Sequence, residues 1–197
     1  KFYTAIVSVS PAHDTACGRI VKIDRDGTVC DSLDISNLGG KRTFYAKYII
    51  KNYQGKYLFP TMIADSTHRY LYAMVFDTTL SILQEKLIDT LQNNEALLNH
   101  LTNRQGNNLF ITGTYDTVSF MWEMFIYETD ADFNLLRKII PGFSDGGYSF
   151  CEVNNVGFVE MSIDSSYIIT SYNWRLKLNF DLTRLDTLSV NDYGMVY

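Results

Sequence analysis

Asn52-Tyr53-Gln54-Gly55-Lys56-Tyr57-Leu58-Phe59-Pro60-Thr61, running on to Asp65, aligns without a gap with a second stretch, Asn103-Arg104-Gln105-Gly106-Asn107-Asn108-Leu109-Phe110-Ile111-Thr112, running on to Asp116. The two keep Asn, Gln, Gly, Leu, Phe, Thr and Asp in the same places, seven identities in fourteen positions, and so mark an internal repeat. A second marker has the same period. Apolar-rich strands end in Asp at Ile20-Val21-Lys22-Ile23-Asp24, Tyr72 to Asp77, Phe125 to Asp130 and Leu176 to Asp181, and these Asp positions stand 53, 53 and 51 residues apart. Each is followed by a short turn and another apolar stretch: Thr28 to Leu33, Leu80 to Leu87, Phe133 to Ile140 and Leu182 to Leu188. Asp suits such turns because its carboxylate accepts a hydrogen bond from a backbone N–H two residues on.

A period of 51 to 53 residues has room for three or four strands. In the second unit Phe44 to Lys51 reads as strand A, Tyr57 to Ala64 as B, Tyr70 to Phe76 as C and Leu80 to Leu87 as D. Four antiparallel strands repeated at such a spacing are what a propeller blade requires. Composition agrees: 14 Tyr and 12 Phe are strand-favouring residues that pack well on a pleated surface. One segment conflicts with this. Asn93 to Leu101 has the Leu97, Leu98, Leu101 spacing of a helix, yet the repeat assigns it to strand A of the third unit, and tertiary context overrides propensity in short stretches. The expected fold class is all-β and β-propeller-like, with about four antiparallel four-stranded blades over residues 1–38, 39–91, 92–141 and 142–197. They form either a closed small ring or part of a larger propeller. The tail Tyr193 to Tyr197 is the candidate closing strand beside Phe2 to Ser10.

With its Leu/Ile-x-Phe/Ile-Asp strand ends (Asp24, Asp77, Asp181) and its Asn-x-Gln-Gly turns, the chain resembles β-propeller repeats of secreted and cell-surface bacterial proteins. The resemblance covers nearly the whole chain and is architectural. It implies an extracytoplasmic location and carries over no catalytic residues. The start at Lys1 rather than Met fits a trimmed, mature chain.

Function is bounded mainly by exclusion. A net charge of −5, with 17 scattered basic residues, argues against a nucleic-acid partner; the basic pair Lys41-Arg42 reads as a solvated loop. No apolar run approaches the ~18 residues of a membrane-spanning helix. Cys17, Cys30 and Cys151 form no CxxC pair, so they read as free or buried thiols, with a Cys17–Cys151 bridge as the alternative. A turn at Asp26-Gly27 would place Cys17 opposite residue 36 and Cys30 opposite Ile23. Nothing in the spacing of His13, His68 and His100 builds a metal site. Asp130-Ala131-Asp132 lacks the rest of a calcium loop, no GxSxG elbow exposes a serine, and no cofactor is implied. Trp122 and Trp174 fall in predicted C strands and read as packing residues.

What remains is loop chemistry. The B–C loops, which share a face with the D–A connections, begin with His13-Asp14, Asp65-Ser66, Tyr115-Asp116 and Tyr172-Asn173. Loops on one face of a rigid scaffold are the usual place for function, so the candidate binding residues are Asp14, Asp65, His68, Tyr115, Asp116, Tyr172 and Asn173. The D–A connections on that face are Asn93-Asn94-Glu95 and Ser144 to Tyr148. Acidic and amide groups bond hydroxyls, and Tyr offers a flat apolar face. The same residues are also what any strand-ending turn prefers. The expectation is a non-catalytic binding module for a protein or glycan. The alternatives are a hydrolase or lyase working from loop carboxylates such as Asp65 and Asp116, and a scaffold for further blades or domains of the same chain.

Overall fold

The structure is a computed structural model. It describes residues 2–9, 16–46, 50–51, 56–92, 95–103, 105–116, 121–140, 158–161, 167–170, 174–179, 182 and 184–189. Among these there is no helix. The described residues hold seventeen strands in four antiparallel sheets, and the chain divides into two compact units, Lys1–Asn93 and Asn94–Tyr197.

In the first unit, β1 (Phe2–Val9), β2 (Ala16–Ile23) and β3 (Val29–Asp34) make a three-stranded sheet. The short β4 (Asn37–Leu38) then turns through Gly39-Gly40 into β5 (Lys41–Ala46), followed by β6 (Ile50–Lys51), β7 (Tyr57–Ala64), β8 (Arg69–Phe76) and β9 (Ile82–Leu91). Both turn glycines have positive φ, 56° and 73°, as a two-residue hairpin of the favoured twist demands. Lys41 and Arg42 therefore begin a strand, where a solvated loop was expected. In strand A of this blade β5 pairs Thr61 to Ala64 and β6 pairs Tyr57 and Leu58.

β7 and β8 are buried along nearly their whole length, while the outer β9 alternates towards solvent. A strand buried on both faces needs cover on both. In this unit the first sheet supplies one layer: Ile20 and Ile35 pack with Leu38, Phe59, Ile63, Tyr72, Met74, Phe76 and Leu80 in one core cluster. Each of these larger side chains contributes about 1.5–3 kcal/mol through burial. Lys22 Nζ also donates to the Thr78 carbonyl at 2.6 Å, tying the first sheet to the β8–β9 turn.

The second unit holds β10 (Ala96–Thr102), β11 (Asn108–Asp116), β12 (Met121–Thr129) and β13 (Leu135–Ile139) in one sheet. A second sheet comprises β14 (Phe158–Met161), β15 (Tyr167–Thr170), β16 (Trp174–Leu178) and β17 (Arg184–Ser189). Residues 96–102 are extended, as the repeat dictated and their local helical spacing did not.

The four C–D hairpins share one construction. The carbonyl of Asp24, Asp77, Asp130 or Asn179 accepts the N–H of Gly27, Leu80, Phe133 or Leu182. Each of those four residues has a positive φ between 60° and 87°. The D strand then carries one extra residue (Cys30, Leu83, Leu136, Leu185), because register shifts leave it unmatched in the ladder. This changes two expectations. Ile23 faces Val29, and Cys30, whose thiol is free, is the bulged residue. The fourth turn begins at Asn179 rather than Asp181, so its marker lies 49 residues after Asp130. Cys17, Cys151, the tail 193–197 and residues 144–148 fall outside the described residues or their described side chains.

Candidate functional site

The β7–β8 loop, Asp65 to His68, carries the best-defined cluster of polar side chains at a strand end. Asp65 N donates to the His68 carbonyl at 3.0 Å, closing a four-residue loop. Asp65 Oδ1 accepts the N–H groups of Thr67 and His68, both at 2.8 Å, and the Thr67 hydroxyl at 2.9 Å. Oδ2 accepts Lys41 Nζ and the Tyr70 hydroxyl, each at 2.7 Å. Five donors on one carboxylate hold it ionised, the Lys41 ammonium foremost, with a pKa far below the usual carboxylate range. The same bonds raise the Lys41 and Tyr70 pKa values, because each would lose its carboxylate partner on giving up its proton.

Around this anchor the remaining groups are set at fixed positions. Lys41 Nζ lies 4.5 Å from the Tyr70 ring centroid. Thr67 Oγ1 is 2.7 Å from His68 Nδ1, and the His68 and Tyr70 rings stand 6.2 Å apart at 49°. Gly40, Lys41, Arg42, Ala64, Asp65 and Ser66 line an open hollow beside them. The loop and the β4–β5 turn thus share one edge of the sheet, the sharing expected of B–C loops and D–A connections. Gly39 is needed for its backbone and for space: a Cβ there would meet the Tyr72 ring at 3.3 Å.

Of the expected binding residues, Asp65 and His68 come together here. Tyr115 and Asp116 end β11, paired with Trp122 and Met121 of β12, so they occupy the equivalent strand end of the third repeat; their side chains, like Asp14, Tyr172 and Asn173, lie outside the described residues. Lys41 and Tyr70 were missed as site residues. Register would have found Lys41, since the Arg42–Ala64 pair puts its neighbour beside Asp65. Tyr70, paired with Ile63, sits two residues inside the loop on the strand that leaves it.

A second polar cluster is internal. The Glu95 carboxylate is fully buried; Oε1 accepts the hydroxyls of Thr112 and, at 2.7 Å, Tyr127, and Oε2 lies 4.0 Å from Lys138 Nζ. That ammonium stands 4.5 and 4.6 Å from the ring centroids of Phe125 and Tyr127. Nearby, His100 Nε2 is 3.3 Å from Asn108 Oδ1, which also accepts the Thr102 hydroxyl at 2.9 Å. His100 Nδ1 has no hydrogen-bond partner among the described residues, and burial pulls the imidazole pKa down to about 4. Asp130, part of the acidic run considered for calcium, spends its carboxylate on the N–H groups of Asp132 and Asn134 and on the Asn134 amide. Among the described residues no group of three His, Cys, Asp or Glu side chains is placed to hold a metal ion.

Sheets of this make-up, repeated in series, define an all-β, propeller-like chain. Two solved structures are similar to it, both propeller-type folds. A gluconolactonase of Xanthomonas campestris is 13% identical with a TM-score of 0.50, over 93% of this chain and 60% of its own. An endo-arabinase of Bacteroides thetaiotaomicron is 14% identical with a TM-score of 0.42, over 91% of this chain and 71% of its own. The likeness to the gluconolactonase supports the fold, and the chain spans only 60% of that protein's length. No protein-family model and no curated protein matches the sequence.

Proposed function

We propose that the chain is a non-catalytic, extracytoplasmic binding module that grips a protein or glycan, a hydroxyl-rich glycan in the first instance, through strand-end loops on one face. The observation that carries this reading is the Asp65 carboxylate with its five donors. An acid–base catalyst must exchange a proton near the working pH, and Asp65 is held ionised far below it. Its role is to fix the loop, so that His68, Tyr70 and Lys41 meet a ligand already in place. Fixing them beforehand lowers the ordering cost of binding. Asp14, Tyr115, Asp116, Tyr172 and Asn173 enter the same proposal as the loop residues of the other repeats.

The test is a glycan array probed with the wild-type chain, His68→Ala and the Tyr115→Ala/Asp116→Ala pair. The expected result is a discrete glycan class bound by the wild type and at least tenfold weaker binding by the variants. Equal binding by all three removes this face from the proposal. Hydrolysis is the second reading, favoured by the fold shared with a gluconolactonase. Turnover of gluconolactone or a related lactone, lost in Asp116→Asn, would replace the binding reading with it.

A further inference from the structure

Thr67 joins the Asp65 carboxylate to the His68 ring, and this chain of hydrogen bonds has one consistent direction. Asp65 is ionised and can only accept, so the Thr67 hydroxyl gives its single proton to Oδ1, at 2.9 Å. Thr67 Oγ1 also lies 2.7 Å from His68 Nδ1. With its proton committed, Oγ1 meets Nδ1 only as an acceptor. The neutral imidazole therefore carries its hydrogen on Nδ1 and leaves a lone pair on Nε2. The backbone of His68 is tied to the same carboxylate residue: its N–H donates to Oδ1, and its carbonyl accepts Asp65 N. The side chain is exposed, and Nε2 has no hydrogen-bond partner among the described residues. The β8–β9 turn supplies the comparison. There Asp77 Oδ1 likewise accepts the N–H and the hydroxyl of Thr79, but Thr79 Oγ1 meets Ser81 Oγ, at 3.0 Å. A serine hydroxyl rotates to suit its neighbours, whereas a proton fixed on one histidine nitrogen decides what the other nitrogen offers. The carboxylate–threonine pair is thus ordinary turn chemistry. What the β7–β8 loop adds is an exposed imidazole set in one tautomer.

We propose that His68 Nε2 is the acceptor for a hydroxyl of a neutral glycan, and that Thr67 sets this preference by holding the ring in the Nδ1–H tautomer. The ligand rests on the binding reading above, while the tautomer rests on the loop alone. A lone pair in a fixed place takes an O–H donor. It turns away a carboxylate, sulfate or phosphate oxygen, which would need an N–H there, so the arrangement works against acidic sugars as well as for neutral ones. Lys41 and Arg42 line the hollow beside the loop. The Lys41 ammonium is already matched by the Asp65 carboxylate at 2.7 Å, which weakens its pull on an incoming anion. Thr67 acts here as a positioning residue and His68 as the group that meets the ligand.

Two measurements on the same variants test this. Long-range proton–nitrogen correlation spectra of protein carrying nitrogen-15 histidine read the tautomer in the ligand-free chain, at about pH 8.5, where an ordinary imidazole is neutral. The His68 signals are assigned by their loss in His68→Ala. The expected result is the Nδ1–H form in the wild type and in Thr67→Ser, and in Thr67→Val the Nε2–H form that free histidine favours in water. An array of neutral glycans beside their sulfated and uronic counterparts is then probed at the same pH. Neutral glycans are expected to bind the wild type and Thr67→Ser alike, and Thr67→Val about fivefold more weakly, as for the loss of one neutral hydrogen bond. An Nε2–H wild type overturns the proposal and leaves the binding reading standing. A preference for the acidic glycans overturns it too, as does undiminished binding by Thr67→Val once its tautomer has flipped. A wild type that binds no glycan removes the binding reading, and the role of His68 towards a ligand with it, whichever tautomer is found. If Thr67→Val does not fold, the tautomer and the charge preference of the wild type decide the matter.

Discussion

Two buried ionisable residues, Glu95 and His100, have direct consequences for stability. Glu95 is satisfied by two hydroxyls and by Lys138, whose own side chain keeps 28% of its exposure. Removing the cation takes an opposite charge from beside a buried carboxylate, so Lys138→Met is expected to cost about 2–3 kcal/mol, towards the low end for a broken buried pair because the lysine is partly solvated. Urea unfolding of the variant beside the wild type measures this. His100 gives a pH effect whose sign follows from the direction of its shift. Its folded pKa of about 4 lies below the ordinary value of 6.5, so between those pH values the unfolded chain takes up a proton that the folded chain does not. Stability therefore falls as pH drops through this window, by about 3 kcal/mol in total, and levels off below it. In His100→Phe that slope should vanish from a series of unfolding curves between pH 4 and 7, while the Thr102 hydroxyl still satisfies Asn108.

At the scale of the element, the C–D hairpin shows what the sequence made legible and what it hid. The Asp-led turns were readable because the carboxylate chemistry is local: Asp77 Oδ1 accepts the N–H groups of Thr79 and Ser81 just as Asp130 Oδ1 accepts those of Asp132 and Asn134. The fourth turn was misplaced by two residues because Asp181 lies so near Asn179, and an amide oxygen can serve the same position. The apolar residue three places on was not legible, since a left-handed Leu or Phe runs against local preference by about 1–2 kcal/mol. It persists because the side chain is buried: Leu80 in the core of the first unit, and Phe133 with its ring 6.4 Å from that of Phe110. This inverts an ordinary mutational order. Leu80→Ala loses the burial and keeps the strain, for a cost of about 3 kcal/mol; Leu80→Gly loses the burial but relieves the strain, and should be about 1 kcal/mol less destabilising than Leu80→Ala. Thermal melts of the pair decide it. The β4 hairpin and the pairing of β5 and β6 with β7 were hidden for another reason. They depend on which strand faces which, and periodicity along one strand does not state its partner.

For the molecule as a whole, the repeat was the strongest signal in the sequence because each sheet is one copied unit. The site was harder to read, because loop carboxylates such as Asp65 and Asp77 do the same local work in turns whether or not a ligand meets them. Stability in such a series is expected to depend on contacts between adjacent sheets. In the first unit that dependence can be tested by removal. Phe59, Ile63, Tyr72, Met74, Phe76 and Leu80 share one core with Ile20 and Ile35, so the first sheet covers side chains that β7, β8 and the β8–β9 turn cannot cover alone. A chain beginning at residue 36, after both isoleucines, would expose a contiguous apolar face far larger than a soluble surface ordinarily carries. The expected outcome is strong binding of a hydrophobic dye and loss of soluble monomer on size-exclusion chromatography. Point variants in the outer strand, such as Leu83→Ser on exposed β9, should leave both measurements unchanged. A truncated chain that stayed monomeric and dark to the dye would mean that the sheet of β5 to β9 holds its own core, and that the first sheet only rests upon it.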